Sequence, residues 1–244
     1  MNNIYKLGLI GILLSCKQPG VQQNENLNDI DDITIPSNSI EETADEDTSS
    51  EDITTDYAFD DNDSLLYIQV FKDQDAAASG LAHDHVMRAT NWTGFVSYNP
   101  SDIEQCAMQF SIGVQDLQVD EDVMRELVGY GDTISLSDRE AIKEHMLAEN
   151  QLNAAQNPTI SFVSSSCELV SEDLLRVNGD MAIRNEIRNW DIDIEFLAQS
   201  QSFYMSSVIN FTHSDFGIEP YSAFFGAVRN AEPLKITFDM VGYQ

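Results

Sequence analysis

The stretch WDIDIEF, residues 190–196, alternates without a break. Trp190, Ile192, Ile194 and Phe196 fall on one face, and Asp191, Asp193 and Glu195 on the other. Period two with one apolar and one acidic side is the pattern of a strand in an antiparallel sheet that is packed on one face and wet on the other. The same rhythm recurs outward from it. CAMQFSIGV (106–114) aligns Cys106, Met108, Phe110, Ile112 and Val114, and LLRVNGDMAIR (174–184) aligns Leu175, Val177, Met181 and Ile183. SFYMSSVINF (202–211) aligns Phe203, Met205, Ile209 and Phe211, and LKITFDM (234–240) aligns Leu234, Ile236, Phe238 and Met240. With LLYIQVF (65–71), HVMRATNWTGFVSY (85–98) and TISFVSSSCEL (159–169), the count is about eight strands.

One segment departs from the rhythm. LSDREAIKEHMLAEN (136–150) has Ser137 with Glu140 three residues on, a capping box, and then Ile142, Met146 and Leu147 at helical spacing. The spacing predicts a helix over 138–149. One short helix cannot cover two sheet faces. The shared apolar face of about eight antiparallel strands is best buried by closing the sheet on itself, so the fold class is all-β, an antiparallel barrel with one short helix. Such a barrel either fills with its own side chains or leaves room for one slender ligand.

Composition narrows the partners. The 244 residues carry 42 acidic against 12 basic side chains, a formal charge of −30. Phosphate backbones repel such a chain, so no nucleic-acid partner is expected, and anionic headgroups are poor docking surfaces for the same reason. The chain starts MNNIYKLGLIGILLSC: Lys6, an apolar run from Leu7 to Leu14 too short to span a bilayer, then Leu13-Leu14-Ser15-Cys16. That ending resembles the lipobox of bacterial lipoproteins. It implies a signal peptide over 1–15, lipidation of Cys16 and a membrane anchor whose strength grows by about 0.8 kcal/mol per buried methylene. Lys17 follows the cysteine, which favours outer-membrane sorting. The expected location is the cell envelope, on the outer membrane, facing the periplasm or the surface. Residues 16–64 then read as an acidic, self-extending tether, with about fifteen Asp and Glu between 17 and 64. DDNDS (60–64) lacks the glycine and closing glutamate of a calcium loop. The barrel is expected over 65–244.

Export also bears on the two remaining cysteines, because disulfides persist outside the cytosol. Cys106 begins one strand and Cys167 ends another, as cross-strand neighbours do, so a bridge is expected. Closing so long a loop contributes about 4 kcal/mol in the chain-entropy model. The alternation parity of the two cysteines does not match, and the pairing requires a bulge. Two buried free thiols are the alternative.

Several stretches together resemble the YceI-like family: REAIKEHML, NPTISFVSS, RVNGDMAIRNEIRNWDIDIEF and HSDFGIEPYSAFFGAVRNAEPLKITFDM, in that order. The most specific parts are Asp215-Phe216-Gly217-Ile218 and the strand entry Asn157-Pro158-Thr159-Ile160-Ser161-Phe162. The resemblance covers residues 65–244 and implies an exported, lipocalin-like barrel associated with isoprenoid and other lipid ligands. AHDH (82–85) resembles a subgroup in which a His-Asp-His triplet opens an early strand. Where relatives carry glycine in the turn before the WDIDIEF strand, this chain has Arg184-Asn185-Glu186; Asn185 is the residue expected to take the left-handed turn.

Four histidines are available for chemistry: His83, His85, His145 and His213. Two residues apart on a strand, His83 and His85 point to one face, but neither the triplet nor the other two show the helical-turn spacing of zinc hydrolases. No Gly-x-Ser-x-Gly elbow occurs, so that class of serine hydrolase is excluded. No catalytic residue, metal or cofactor is therefore expected, and the triplet reads as polar contacts at the barrel rim. The inward Met108, Phe110, Phe162, Met181, Phe196, Met205, Phe211 and Phe238 are long or soft side chains suited to an apolar tunnel. His83, His85, His213 and Tyr221 are candidates to orient a headgroup. The expected function is binding of a long apolar ligand (isoprenoid, quinone or fatty-acyl lipid) by a membrane-anchored protein. A filled barrel acting as an interaction module is the alternative, and a metal-dependent enzyme built on the histidines a lesser one. A homodimer is compatible with the sequence.

Overall fold

The computed structural model describes residues 53–244. The expected signal peptide, the lipidation site Cys16 and most of the tether lie outside the described residues. In chain order the strands are β1 (Thr55–Phe59), β2 (Leu65–Lys72), β3 (His85–Ala89), β4 (Thr93–Tyr98), β5 (Ala107–Gly113), β6 (Leu117–Val119), β7 (Thr159–Ser171), β8 (Leu174–Ile183), β9 (Glu186–Ala198), β10 (Ser202–Thr212), β11 (Ser222–Ala223) and β12 (Val228–Tyr243). The helices are α1 (Asp122–Leu127) and α2 (Leu136–Leu147).

Short breaks join β1 to β2, β3 to β4 and β5 to β6, so the strands make eight staves. Each is antiparallel to the next, in sequence order. The last stave, β12, pairs back onto β1 and β2 and closes the cylinder. Closure buries the alternating face that WDIDIEF announces: Ile192, Ile194 and Phe196 are inside, while Asp191, Asp193 and Glu195 are exposed. The fold is a closed, eight-stranded antiparallel barrel of lipocalin-like form.

Three boundaries differ from the sequence expectation. The barrel starts before Leu65: β1 lies within the stretch assigned to the tether, with Tyr57 and Phe59 buried and the strand paired to both β4 and β12. Two aromatics two residues apart outweigh the acids around them, because both rings point inward. The long helix is capped by Ser135, whose Oγ accepts from the Asp138 N–H at 3.2 Å, rather than by Ser137 with Glu140. Ser135 and Asp138 have the same capping spacing two residues earlier. A second, six-residue helix, α1, precedes it.

The Cys106–Cys167 disulfide is present, with Cα atoms 5.9 Å apart. The parity mismatch is resolved in β7: Ser164 pairs with Gly179 and Ser166 with Asn178, leaving Ser165 as an extra, bulged residue. Beyond the bulge Cys167 stands opposite the fully buried Val177 and so returns to the inner face. In the β8–β9 turn, Arg184 and not Asn185 adopts positive φ (61°). Its guanidinium donates to the carbonyls of Gly217 (2.9 Å) and Glu149 (3.1 Å), contacts a glycine could not make.

The two ends of the cylinder differ. At one end, where β1 enters and β12 finishes, Tyr57, Tyr98, Phe196 and Phe203 pack ring against ring at 5.4–5.6 Å and close the barrel. The Tyr57 hydroxyl donates to the Gln199 carbonyl at 2.9 Å and seals that floor. The other end carries the 73–84 loop, the α1–α2 connection and the 213–227 segment.

Candidate ligand-binding cavity

Above the aromatic floor the barrel is hollow. The cavity has a volume of about 310 Å³, near the lower limit of the ~300–1,000 Å³ common for small-molecule sites. Leu66, Phe110, Met181 and Ile236 line its deep part, and Ile112, Leu117, Ile160 and Ile183 its middle. Phe110 stacks on Phe162 (5.7 Å, 19°), which marks the step from hollow to filled. Gly179 makes room for that ring: a Cβ there would lie 2.4 Å from the Phe162 Cζ.

The connection between β6 and β7 roofs the cavity. Ile142 and Met146 of α2 and Leu152 beyond it line the space from above. No residue of α2 is fully buried: the helix is mostly polar, and its inward apolar side chains, Ile142 and Met146, face the cavity. Lys143 fastens it to the barrel through the Gln115 carbonyl (2.7 Å), and Gln151 ties the following loop to the Glu219 carbonyl (3.0 Å).

Polar groups gather at the mouth, where the strands meet the loops: His85, His145, Thr212, His213, Tyr221 and Asn230. His145 and Tyr221 face one another with ring centroids 5.1 Å apart. His213 is buried, and its Nδ1–H donates to the Glu232 carbonyl at 3.0 Å. Burial pushes its pKa below the usual imidazole value, against the neighbouring carbonyl and carboxylate of Glu232, which favour the proton.

The His-Asp-His triplet divides into three roles. His83 precedes β3, so strand alternation does not apply to it; it is half exposed and bonds the Asp132 carboxylate. Asp84 accepts the Lys72 N–H at 2.8 Å and holds the loop. Only His85 reaches the cavity, with Nδ1 bound to Asp120 at 2.6 Å, which leaves Nε2 as the ring atom available to a ligand. Asp120 is fully buried and also accepts from the Val86 N–H (3.0 Å) and from Arg125 Nη1 (2.8 Å). Burial pushes the Asp120 carboxyl up, but the His85, Val86 and Arg125 hydrogen bonds outweigh it and hold it below the usual range.

Arg125, 1 % exposed, is the centre of this cluster. Besides Asp120 it donates to the carbonyls of Asp84 (2.8 Å) and Asp132 (2.9 Å) and to the Asp132 carboxylate, and it lies 5.2 Å from the Tyr130 ring centroid. It rivets α1 and the 128–135 loop to the rim. Sequence reasoning missed both Arg125 and Asp120. The available signal was weak: one arginine, between Met124 and Glu126, in an otherwise acidic segment.

Of the sequence candidates, the cavity brings together Phe110, Met181, Phe211, His85, His213 and Tyr221. It does not include Met108, Phe162, Phe196, Met205 or Phe238; all five are buried in the filled half, where they are core. His83 stays outside. The lining residues that strand alternation could not flag come from connections: His145, Gln151, Leu152, Phe216 and Ile218. Among the described residues no group of three or more His, Cys, Asp or Glu side chains is placed to hold a metal ion.

A family model described as YceI-like domain matches residues 57–241. Among solved structures, Burkholderia cenocepacia BcnA aligns with a TM-score of 0.56 at 14% identity, covering 75% of this chain and 98% of that one. A Campylobacter jejuni YCEI protein aligns at 0.46 and 11% identity, covering 65% and 84%. At these identities the likeness concerns the fold alone. No curated protein matches the chain.

Proposed function

Since the chain belongs to the YceI-like domain family, we propose that its barrel binds one apolar, lipid-class molecule, an isoprenoid, quinone or fatty-acyl chain. The observation that carries this reading is the half-hollow interior: an apolar shaft above a closed floor, with polar groups only at the mouth. An apolar chain entering the shaft gains about 25 cal/mol for each Å² of hydrocarbon withdrawn from water. The floor stops it, so a chain longer than the shaft leaves its remainder at the mouth.

The lining also selects a head. It contains three histidines and Asp138 but no lysine or arginine; the buried Arg125 is engaged on four sides and is not part of the wall. A phosphate or carboxylate there would meet no fixed positive charge and would be costly to desolvate. A hydroxyl or carbonyl head, hydrogen-bonded to His85, His213 or Tyr221, suits the site. The protein on this reading is a binder and not an enzyme.

We also propose that it works in the cell envelope, anchored through Cys16. The residues from Lys6 to Cys16 support that reading, as does the Cys106–Cys167 bridge, a bond that persists in oxidising compartments. Native mass spectrometry of the full chain from a lipid-replete host, with extraction of what it carries, tests the binding. A stoichiometric neutral lipid is expected. A protein that carries nothing, and whose melting temperature ignores added isoprenols, quinones and fatty acids, refutes it in favour of an interaction module. Cys16→Ser is expected to leave the membrane fraction; persistence there refutes the anchor.

A further inference from the structure

We infer that the hairpin tip at Phe224–Phe225 inserts into the interfacial layer of a lipid bilayer and seats the cavity mouth on the membrane surface. The inference rests on the ligand reading above, for it names where that ligand is collected.

β11 pairs with the start of β12, Ser222 with Arg229 and Ala223 with Val228, and the loop between them is Phe224 to Ala227. Phe224 is 77 % exposed and Phe225 wholly so. Both take left-handed backbone, φ 51° and 58°, followed by Gly226 at 88°. For phenylalanine that conformation is disfavoured, because Cβ crowds the carbonyl. The ladder and the Asn230 N–H to Tyr221 carbonyl bond (2.9 Å) enforce it. The two most exposed aromatic rings among the described residues are thus held away from the core at a cost that packing does not explain.

The surroundings identify the occupant. The Ala78 N–H donates to the Ala227 carbonyl at 2.8 Å, which brings the Ser79–Leu81 turn, with Leu81 75 % exposed, beside the tip. From Pro220 to Val228 there is no charged residue in a chain of net charge −30. Three side chains on a convex tip fall short of the ~800 Å² per partner of a stable protein interface. Asp73 nearby is neutralised by its ion pair with Arg229, so repulsion of a second copy comes from Asp75 and from the net charge of −30. Aromatic rings do settle at the headgroup level of bilayers, and the net charge of −30 favours neutral over anionic headgroups. Tyr221 and Asn230, at the base of this hairpin, line the cavity. A chain leaving the bilayer along the tip therefore reaches the mouth without crossing bulk water.

Phe225→Trp in the full chain, read as the difference from the wild-type chain with its Trp92 and Trp190, provides a local reporter of the tip whether or not the protein is anchored elsewhere. On phosphatidylcholine vesicles its emission is expected to shift to the blue and to be quenched by lipids brominated on the upper acyl chain. Phosphatidylglycerol vesicles are expected to give a smaller response that salt restores. Unchanged emission from protein that sediments with the vesicles overturns the proposal. So does a blue shift that grows with protein concentration alone, which assigns the tip to a second copy. The Phe224→Ser/Phe225→Ser variant, whose changes are exposed and leave the core intact, is expected to take up vesicle-borne isoprenol at least about tenfold more slowly. Uptake of detergent-dispersed isoprenol should be unaltered. Equal rates from vesicles overturn the docking. Quenching at the tip of a protein that takes up no lipid from either source leaves the docking standing and removes the ligand reading.

Discussion

Removing the Asp120 carboxylate should loosen the roof of the cavity by a calculable amount. Asp120 is fully buried, and its oxygens serve Val86, Arg125 and His85. Stripping one partner from a buried ion pair costs about 3–5 kcal/mol. Arg125 keeps Asp132 and two carbonyls, which argues for the low end, about 3 kcal/mol. The orphaned Val86 N–H adds about 1 kcal/mol or more. Asp120→Ala is therefore expected to cost about 4 kcal/mol, or about 2 M in urea midpoint at a slope of about 2 kcal/mol/M. Asp120→Asn keeps an acceptor for Val86 and Arg125 but not the charge, and should cost roughly half of that. The combination Asp120→Asn/Arg125→Met removes both charges and should recover most of the loss, since a buried pair replaced as a unit is often neutral. Proteolysis of the single Ala variant should cut first between α1 and α2, the segment Arg125 holds, and bound lipid should dissociate faster. A midpoint shift below about 0.5 M for the Ala variant would refute the rivet. A double variant no better than the single would show that the charge pair is not the source of the cost.

Further outcomes follow from the same geometry. Replacing Cys106 and Cys167 by serine opens a loop of sequence separation 61 and should cost about 4 kcal/mol, read by thermal unfolding with and without reductant; no difference between the two would count against that entropic account. Phe110→Ala should cost about 3–5 kcal/mol and lengthen the shaft, so extracted lipids shift to longer chains, whereas Phe196→Ala should cost as much without changing the lipid. His213 has a folded pKa held below its unfolded value of about 6.5 by burial. The unfolded state then binds more protons, and stability is complete above pH 6.5 and falls as pH drops through the window down to the folded pKa. His213→Gln should flatten that slope, measured by denaturant midpoints from pH 5 to 8, and an unchanged slope would show that His213 is not its source.

The barrel was legible because its evidence is periodic. WDIDIEF and its neighbours state which face is inside, and closure follows from having one apolar face and no second layer to cover it. What alternation cannot state is depth along the axis. Phe110 and Phe196 look alike in sequence, yet one lines the cavity and the other plugs the floor, because depth is set by register and stagger between strands. The cavity's roof and most of its mouth come from connections, where no period exists. The bulge in β7 was inferable from the cysteines alone; its place at Ser165 was not. Arg184 was misread in favour of Asn185, since intrinsic tolerance for positive φ was outweighed by two carbonyls that only a long guanidinium reaches.

The chain enters the barrel at the plugged end, and the mouth opens at the other. The sixteen residues of β12, at ~3.3 Å each and tilted by roughly 40° to the barrel axis, put these ends about 40 Å apart. A pull on the chain before Ile53 therefore acts on the plugged end and leaves the opening as the part of the barrel farthest from the point of attachment.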